Sequence, residues 1–91
     1  MTPETKTAAL RRLARIEGQV RGIAKMIEDD RYCIDVVRQV QATKAALSGL
    51  EKITLDDHLS TCVETALAGT DLEARREKVE ELVAVLGGRK K

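Results

Sequence analysis

From Tyr32 to Ala68 the chain has no proline and no run of turn residues, and its apolar residues keep a helical rhythm throughout. Ile34, Val37, Val40, Leu47, Leu50, Leu59, Val63 and Leu67 recur near the 3.6-residue period that lines up side chains on one helix face. A single helix over about 32–68 is the expectation, and its length decides which side chains one chain can bring together. Gly69 directly follows it and suits the left-handed residue that closes a helix.

Two further helices flank this element. Thr2-Pro3 reads as an N-cap followed by proline at the first helical position, and Leu10, Leu13, Ile16, Val20, Ile23 and Ile27 then form one apolar stripe on a helix over about 3–28. Gly18 and Gly22 interrupt it, so close approach of a neighbouring helix or a ligand is expected there. Glu28-Asp29-Asp30-Arg31 reads as a short turn. Thr70 and Glu73 have the spacing of a capping box that opens a third helix, about 71–86, carrying Leu72, Val79, Leu82, Val83 and Leu86. Gly87-Gly88 ends it before the basic tail Arg89-Lys90-Lys91. Nothing reads as a strand, a repeat or a second domain; the expected fold is all-α, three helices in one domain over 1–91.

Phe and Trp are absent and there is one Tyr among 91 residues, so the core must be built from Leu, Ile, Val and Ala. A lone chain of this size buries little, and an obligate oligomer is expected. No apolar run approaches the ~20 residues that cross a bilayer, and Met-Thr-Pro-Glu-Thr-Lys lacks the apolar segment of a secretory signal. The expected compartment is the cytoplasm, with no membrane partner, where two Cys are reduced thiols rather than a structural disulfide.

Every Cys and His in the chain belongs to one set: Cys33, His58 and Cys62. His58 and Cys62, at i and i+4, share a helix face. Cys33 lies 25 positions before His58, about 37 Å at ~1.5 Å per residue, so one unbroken helix cannot join them. Two copies packed antiparallel about a dyad near Ala46 can, with Cys33 of one chain meeting the His58/Cys62 turn of the other. Ala42, Ala45, Ala46, Ser48 and Gly49 are small enough for such a crossing. Two thiolates and an imidazole are a soft three-ligand set that suits Cu(I); four-coordinate zinc remains open if Asp57, Glu64 or Glu81 adds a ligand. The competing reading is plain packing, since Cys is among the most buried residue types.

The balance of 16 Lys+Arg against 15 Asp+Glu hides an asymmetry. Arg11, Arg15, Arg21 and Lys25 fall on the side of the first helix opposite its apolar stripe, with Lys6 and Arg12 at the edges, while only Glu4 and Glu17 oppose them up to residue 25. This is either a solvated face or a surface for the phosphates of double-stranded DNA. With Tyr32 the only aromatic residue, base-stacking recognition of single strands is not expected.

Arg-Ile-Glu-Gly-Gln-Val-Arg-Gly-Ile (15 to 23), Tyr-Cys-Ile-Asp-Val-Val-Arg-Gln-Val (32 to 40) and Asp-His-Leu-Ser-Thr-Cys (57 to 62) stand in the order and spacing of the CsoR-type copper-sensing repressors. The chain resembles that family over nearly its whole length. The resemblance implies a dimer with an antiparallel four-helix-bundle core, usually paired into a tetramer, that binds operator DNA without metal and releases it on binding Cu(I). It implies trigonal Cu(I) held by Cys33 of one subunit and His58 and Cys62 of the other, with Tyr32 and Glu81 linking the metal-bound His to the rest of the fold; Glu77 and Glu80 are substitutes for Glu81. Arg12 and Arg15 match the family's basic start of helix 1, implicated in DNA contact. Gly49 stands where some relatives have Arg, which makes Lys44 and Lys52 the candidates for a second basic position.

The expected function is a Cu(I)-responsive repressor. The alternatives are a thiol- or persulfide-sensing repressor of the same fold, with Cys33 and Cys62 cross-linked between subunits, and a copper buffer without DNA binding. One His, no paired carboxylates and no Gly-rich phosphate loop leave little with which to do catalysis, so no enzyme is expected.

Overall fold

The computed structural model describes residues 1–63, 65, 68–69 and 71–87, apart from the side chains of 62 and 63. The elements are α1 (Pro3–Glu28), α2 (Cys33–His58), a π-helical segment (Leu59–Val63) and α3 (Leu72–Leu86). No strand occurs among the described residues, and the fold class is all-α. Two structural units are present, Met1–Leu55 and Asp56–Lys91.

In the first unit, α1 begins as its sequence dictates. Thr2 is extended, with φ −68° and ψ 155°, and its Oγ1 accepts from the Thr5 backbone N–H at 3.2 Å; Pro3, which has no N–H to satisfy, takes the first helical position. The helix closes in a Schellman motif: Arg31 N–H donates to Met26 O at 2.9 Å and Asp30 N–H to Ile27 O at 3.1 Å. The residue in the left-handed position is Asp30, φ 53°, where glycine is usual. Tyr32 then caps α2 with its carbonyl, accepting from Asp35 N–H at 3.0 Å and Val36 N–H at 3.2 Å.

The stripe on α1 exists, but one chain covers little of it. Ile16 is buried, 4% exposed, and Ile23 is half-buried, whereas Leu10, Leu13, Val20 and Ile27 stay exposed. Ile34, Val37, Val40 and Leu47 of α2 are exposed as well. The expectation of close approach at Gly18 and Gly22 is not met within the chain: nothing lies within 4 Å of a Cβ at Gly22, and a Cβ at Gly18 would meet only Arg21 Nη2 of the same helix, at 3.9 Å.

In the second unit the winding changes along the helix expected over 32–68. Regular α winding stops at His58, and Leu59–Val63 is π-helical; Thr65 and Ala68 are again α-helical and Gly69 is a bend. Hydroxyls supply the local reason. The Asp57 carbonyl accepts from Thr61 Oγ1 at 2.8 Å and Ser60 Oγ at 3.3 Å, Ser60 Oγ also reaches Asp56 O at 3.2 Å, and Thr65 Oγ1 donates to Thr61 O at 2.6 Å. Ser and Thr side chains compete with the backbone for such carbonyls; Thr43 and Thr54 do so singly within regular α2, whereas here two hydroxyls meet on one carbonyl, which favours the shift from i→i+4 to i→i+5 closure.

The start of α3 also differs from the expected capping box. Asp71 is the N-cap, its Oδ1 accepting from Glu73 N–H at 3.0 Å and Ala74 N–H at 3.3 Å. Thr70, Glu64 and the basic tail lie outside the described residues. The π segment packs against α3. That packing sets which α3 side chains can reach the end of α2.

Candidate metal centre

His58 is the last residue of α2, and the α3 face turned toward it offers Glu81. His58 Nε2 and Glu81 Oε1 are 3.2 Å apart. A carboxylate oxygen can only accept, so this pair assigns the proton to Nε2 and leaves the Nδ1 lone pair as the donor available to a metal. A metal-binding imidazole commonly has its second nitrogen held in this way, which fixes both tautomer and ring orientation. Of the three acidic residues considered on the third helix, Glu81 makes this contact. Glu81 and the His58 ring are both partly open to solvent, at 53% and 33% exposure.

Cys33 is the first residue of α2 and is exposed, a free thiol. Tyr32, immediately before it, is exposed too. Cys62 sits in the π segment, its side chain outside the described residues. A π turn takes more than four residues, so position 62 stops just short of a full turn from His58 instead of passing it. Among the described residues of one chain no three His, Cys, Asp or Glu side chains converge as a metal cage. Asp57, a candidate extra zinc ligand, is buried at 7% exposure.

The basic residues of α1 stand as the sequence leads one to expect: Arg11, Arg12, Arg15, Arg21 and Lys25 are all exposed, as are Lys44 and Lys52 of α2. Lys25 pairs with Asp29 at 3.5 Å, an i,i+4 ion pair at the surface. Gly49, one of the small residues expected at a crossing of two chains, has a neighbour within its own chain. A Cβ placed there would lie 2.9 Å from Arg12 Nη1 of the same chain, so at least part of the small-residue face of α2 serves the α1–α2 contact.

Residues 5–87 match the family model described as metal-sensitive transcriptional repressor. The chain belongs to that family. It is 57% identical over 58 residues to the copper-sensing transcriptional repressor RicR of Mycobacterium tuberculosis, a match covering 64% of this chain and 60% of that protein's length. It is 45% identical over 74 residues to the copper-sensing transcriptional repressor CsoR of Bacillus subtilis, covering 81% of this chain and 70% of the relative. Among solved structures, the Cu(I)-bound copper-sensing repressor CsoR of Geobacillus thermodenitrificans superposes with a TM-score of 0.85 at 39% identity, over 97% of this chain and 88% of that one. A variant of the formaldehyde-responsive regulator FrmR of Salmonella enterica superposes with a TM-score of 0.77 at 27% identity, over 96% of both chains. The same fold thus occurs in a regulator named for copper and in one named for formaldehyde, so the fold alone does not name the inducer. Sequence reasoning missed three features: the π segment, the Asp71 cap and the Arg12–Gly49 contact. The run Ser60-Thr61 with Thr65 was the available signal for the first.

Proposed function

We propose that this protein is a Cu(I)-responsive transcriptional repressor, holding double-stranded operator DNA in its metal-free form and releasing it when Cu(I) binds. Membership of the metal-sensitive repressor family supports the regulatory half of this reading. The observation that carries the metal half is the His58–Glu81 pair at 3.2 Å, which orients the chain's only imidazole with Nδ1 as its free donor.

Cu(I), when bound, supplies soft-acid bonds to two thiolates and one imidazole. Cys33 and His58 are the two ends of a 26-residue helix, so both reach one ion only if two chains contribute. An antiparallel pair of α2 helices gives two equivalent sites, Cys33 from one subunit and His58 with Cys62 from the other, in a homodimer or a homotetramer built from two such dimers. The exposed apolar residues of α1 and α2 are the surface that association would cover. Glu81 holds the Nε2 proton, so a shift of the His58 ring reaches α3 directly. Tyr32, beside Cys33, is the matching contact at the other end of α2. Arg11, Arg12, Arg15, Arg21, Lys25, Lys44 and Lys52 supply phosphate contacts.

No helix among the described residues is long and apolar enough to cross a membrane. The deciding experiment is titration of the reduced protein with Cu(I), Zn(II) and Ni(II) while it is bound to a duplex from upstream of its own gene. Release by Cu(I), with little by the other ions, is expected; binding of Cu(I) without DNA release would leave a copper buffer. His58→Ala should weaken the release more than it weakens copper capture, since two thiolates still hold Cu(I). Intersubunit cross-linking of Cys33 and Cys62 by sulfane sulfur, accompanied by release, would favour a persulfide sensor instead.

A further inference from the structure

Within the first unit, Arg12 of α1 lies over Gly49 of α2. A Cβ at Gly49 would stand 2.9 Å from Arg12 Nη1 and 3.9 Å from Cζ, the first closer than real Cβ contacts come. The glycines inside α1 have no comparable neighbour: a Cβ at Gly22 meets nothing within 4 Å, and one at Gly18 meets only a side chain of its own helix. Gly49 is half-buried and Arg12 is exposed, so the guanidinium rests against the second helix with its outer edge in water. Glycine weakens a helix interior relative to alanine, and Gly49 stands in the middle of α2. The space it leaves is taken by a charged group and not by a closely packed backbone.

We propose that Gly49 is a positioning residue for DNA binding: its missing side chain seats the Arg12 guanidinium against α2, in place for a phosphate before DNA arrives. This rests on the reading of the basic α1 face as a DNA surface. The Nη1 end of the guanidinium is what meets α2, at 2.9 Å from the Cβ position against 3.9 Å for Cζ, and a guanidinium carries five N–H donors, so the others stay free for phosphate oxygens. Arg12 is flanked on the same helix by Arg11 and Arg15, both exposed. Seating it against α2 lowers the side-chain entropy lost on binding. An alanine methyl at position 49 displaces only the far end of a flexible side chain, so the helix tolerates it while the seat disappears.

The test is a double-mutant cycle on the full-length, reduced, metal-free protein: wild type, Gly49→Ala, Arg12→Ala and the double variant. Binding is read by fluorescence anisotropy on a duplex from upstream of the gene, across a salt series. Gly49→Ala should weaken binding roughly 3- to 10-fold, should not lower the melting temperature, since alanine is the better helix former, and should leave Cu(I) affinity unchanged in a chelator competition. In the Arg12→Ala background it should have no further effect. Arg12→Ala should also make the dependence of log K on log salt shallower, by about 0.9 for each phosphate that the variant no longer neutralises. Wild-type affinity in Gly49→Ala, or an equal loss with and without Arg12, would overturn the role of Gly49 and leave the DNA reading standing. A wild-type protein that shows no salt-dependent binding to the duplex would remove both.

Discussion

The two ends of α2 are built differently. At its C-terminal end, His58 has its ring held by Glu81 of α3, and Ser60 and Thr61 hydroxyls tie down the carbonyls where the helix widens into a π segment. At its N-terminal end, Cys33 is exposed and follows an exposed Tyr32. One proposed donor is oriented by its own chain; the other stands open at the surface. In the proposed dimer the second chain completes what the first leaves open, so the asymmetry within one chain becomes symmetry in the pair.

The sharpest way to break this comparison is by mixing subunits. Cys33→Ala and Cys62→Ala proteins each lack a thiolate at every site, but a hybrid dimer would hold one intact site, with Cys33 and Cys62 on different chains. Co-refolding the two should restore about half of the high-affinity Cu(I) sites in the hybrid fraction, measured by chelator competition. No restoration would mean the donors come from one chain. Next in size, Cys33→Ser alone should cost more Cu(I) affinity than Glu81→Gln, because the first removes a donor atom and the second only the support of one. For Glu81→Gln a loss on the order of 10- to 100-fold in affinity or in DNA release is expected. Equal affinities for the Glu81→Gln and wild-type proteins would show that the charge of Glu81 has no bearing on the metal, since the Gln amide oxygen still accepts from Nε2–H.

Smaller effects separate the two structural units by stability. Asp71→Ala removes two hydrogen bonds at the start of α3 and should destabilise the protein by about 1 kcal/mol in urea unfolding. Asp30→Gly should do the opposite, by less than about 1 kcal/mol, because glycine takes the φ of 53° without the Cβ clash, while its greater freedom in the unfolded chain offsets part of the gain.

Much of this architecture was legible in the chain. Thr2-Pro3 marked the start of α1, and the structure begins the helix at Pro3 with Thr2 as its cap. The apolar periods marked three helices, since a repeat near 3.6 residues is a local property that survives whatever packs against it. Cap identity was less legible: Thr70 and Asp71 are both good caps, and the structure uses Asp71. The helix expected over 32–68 is α-wound to His58 and π-wound over Leu59–Val63, where two side-chain hydroxyls meet on the Asp57 carbonyl, a change of winding that the apolar pattern does not carry. For the candidate site, the three proposed donor residues are visible as the chain's entire stock of Cys and His. Which acidic residue of the third helix meets His58 is not legible there, since Glu77, Glu80 and Glu81 lie within four residues of one another.

What the sequence by itself determined is therefore local: helix identity from period, the entry to α1 from its cap, and the stock of soft side chains, two Cys and one His, on which the proposed two-chain site draws. Tertiary structure alone decided which of Glu77, Glu80 and Glu81 meets His58, that Arg12 fills the space over Gly49, and how much of the α1 stripe one chain leaves uncovered. The reason is phase. Residues three or four apart on a helix are equivalent by period, and only the angle at which a neighbouring helix packs against them selects the one that makes contact.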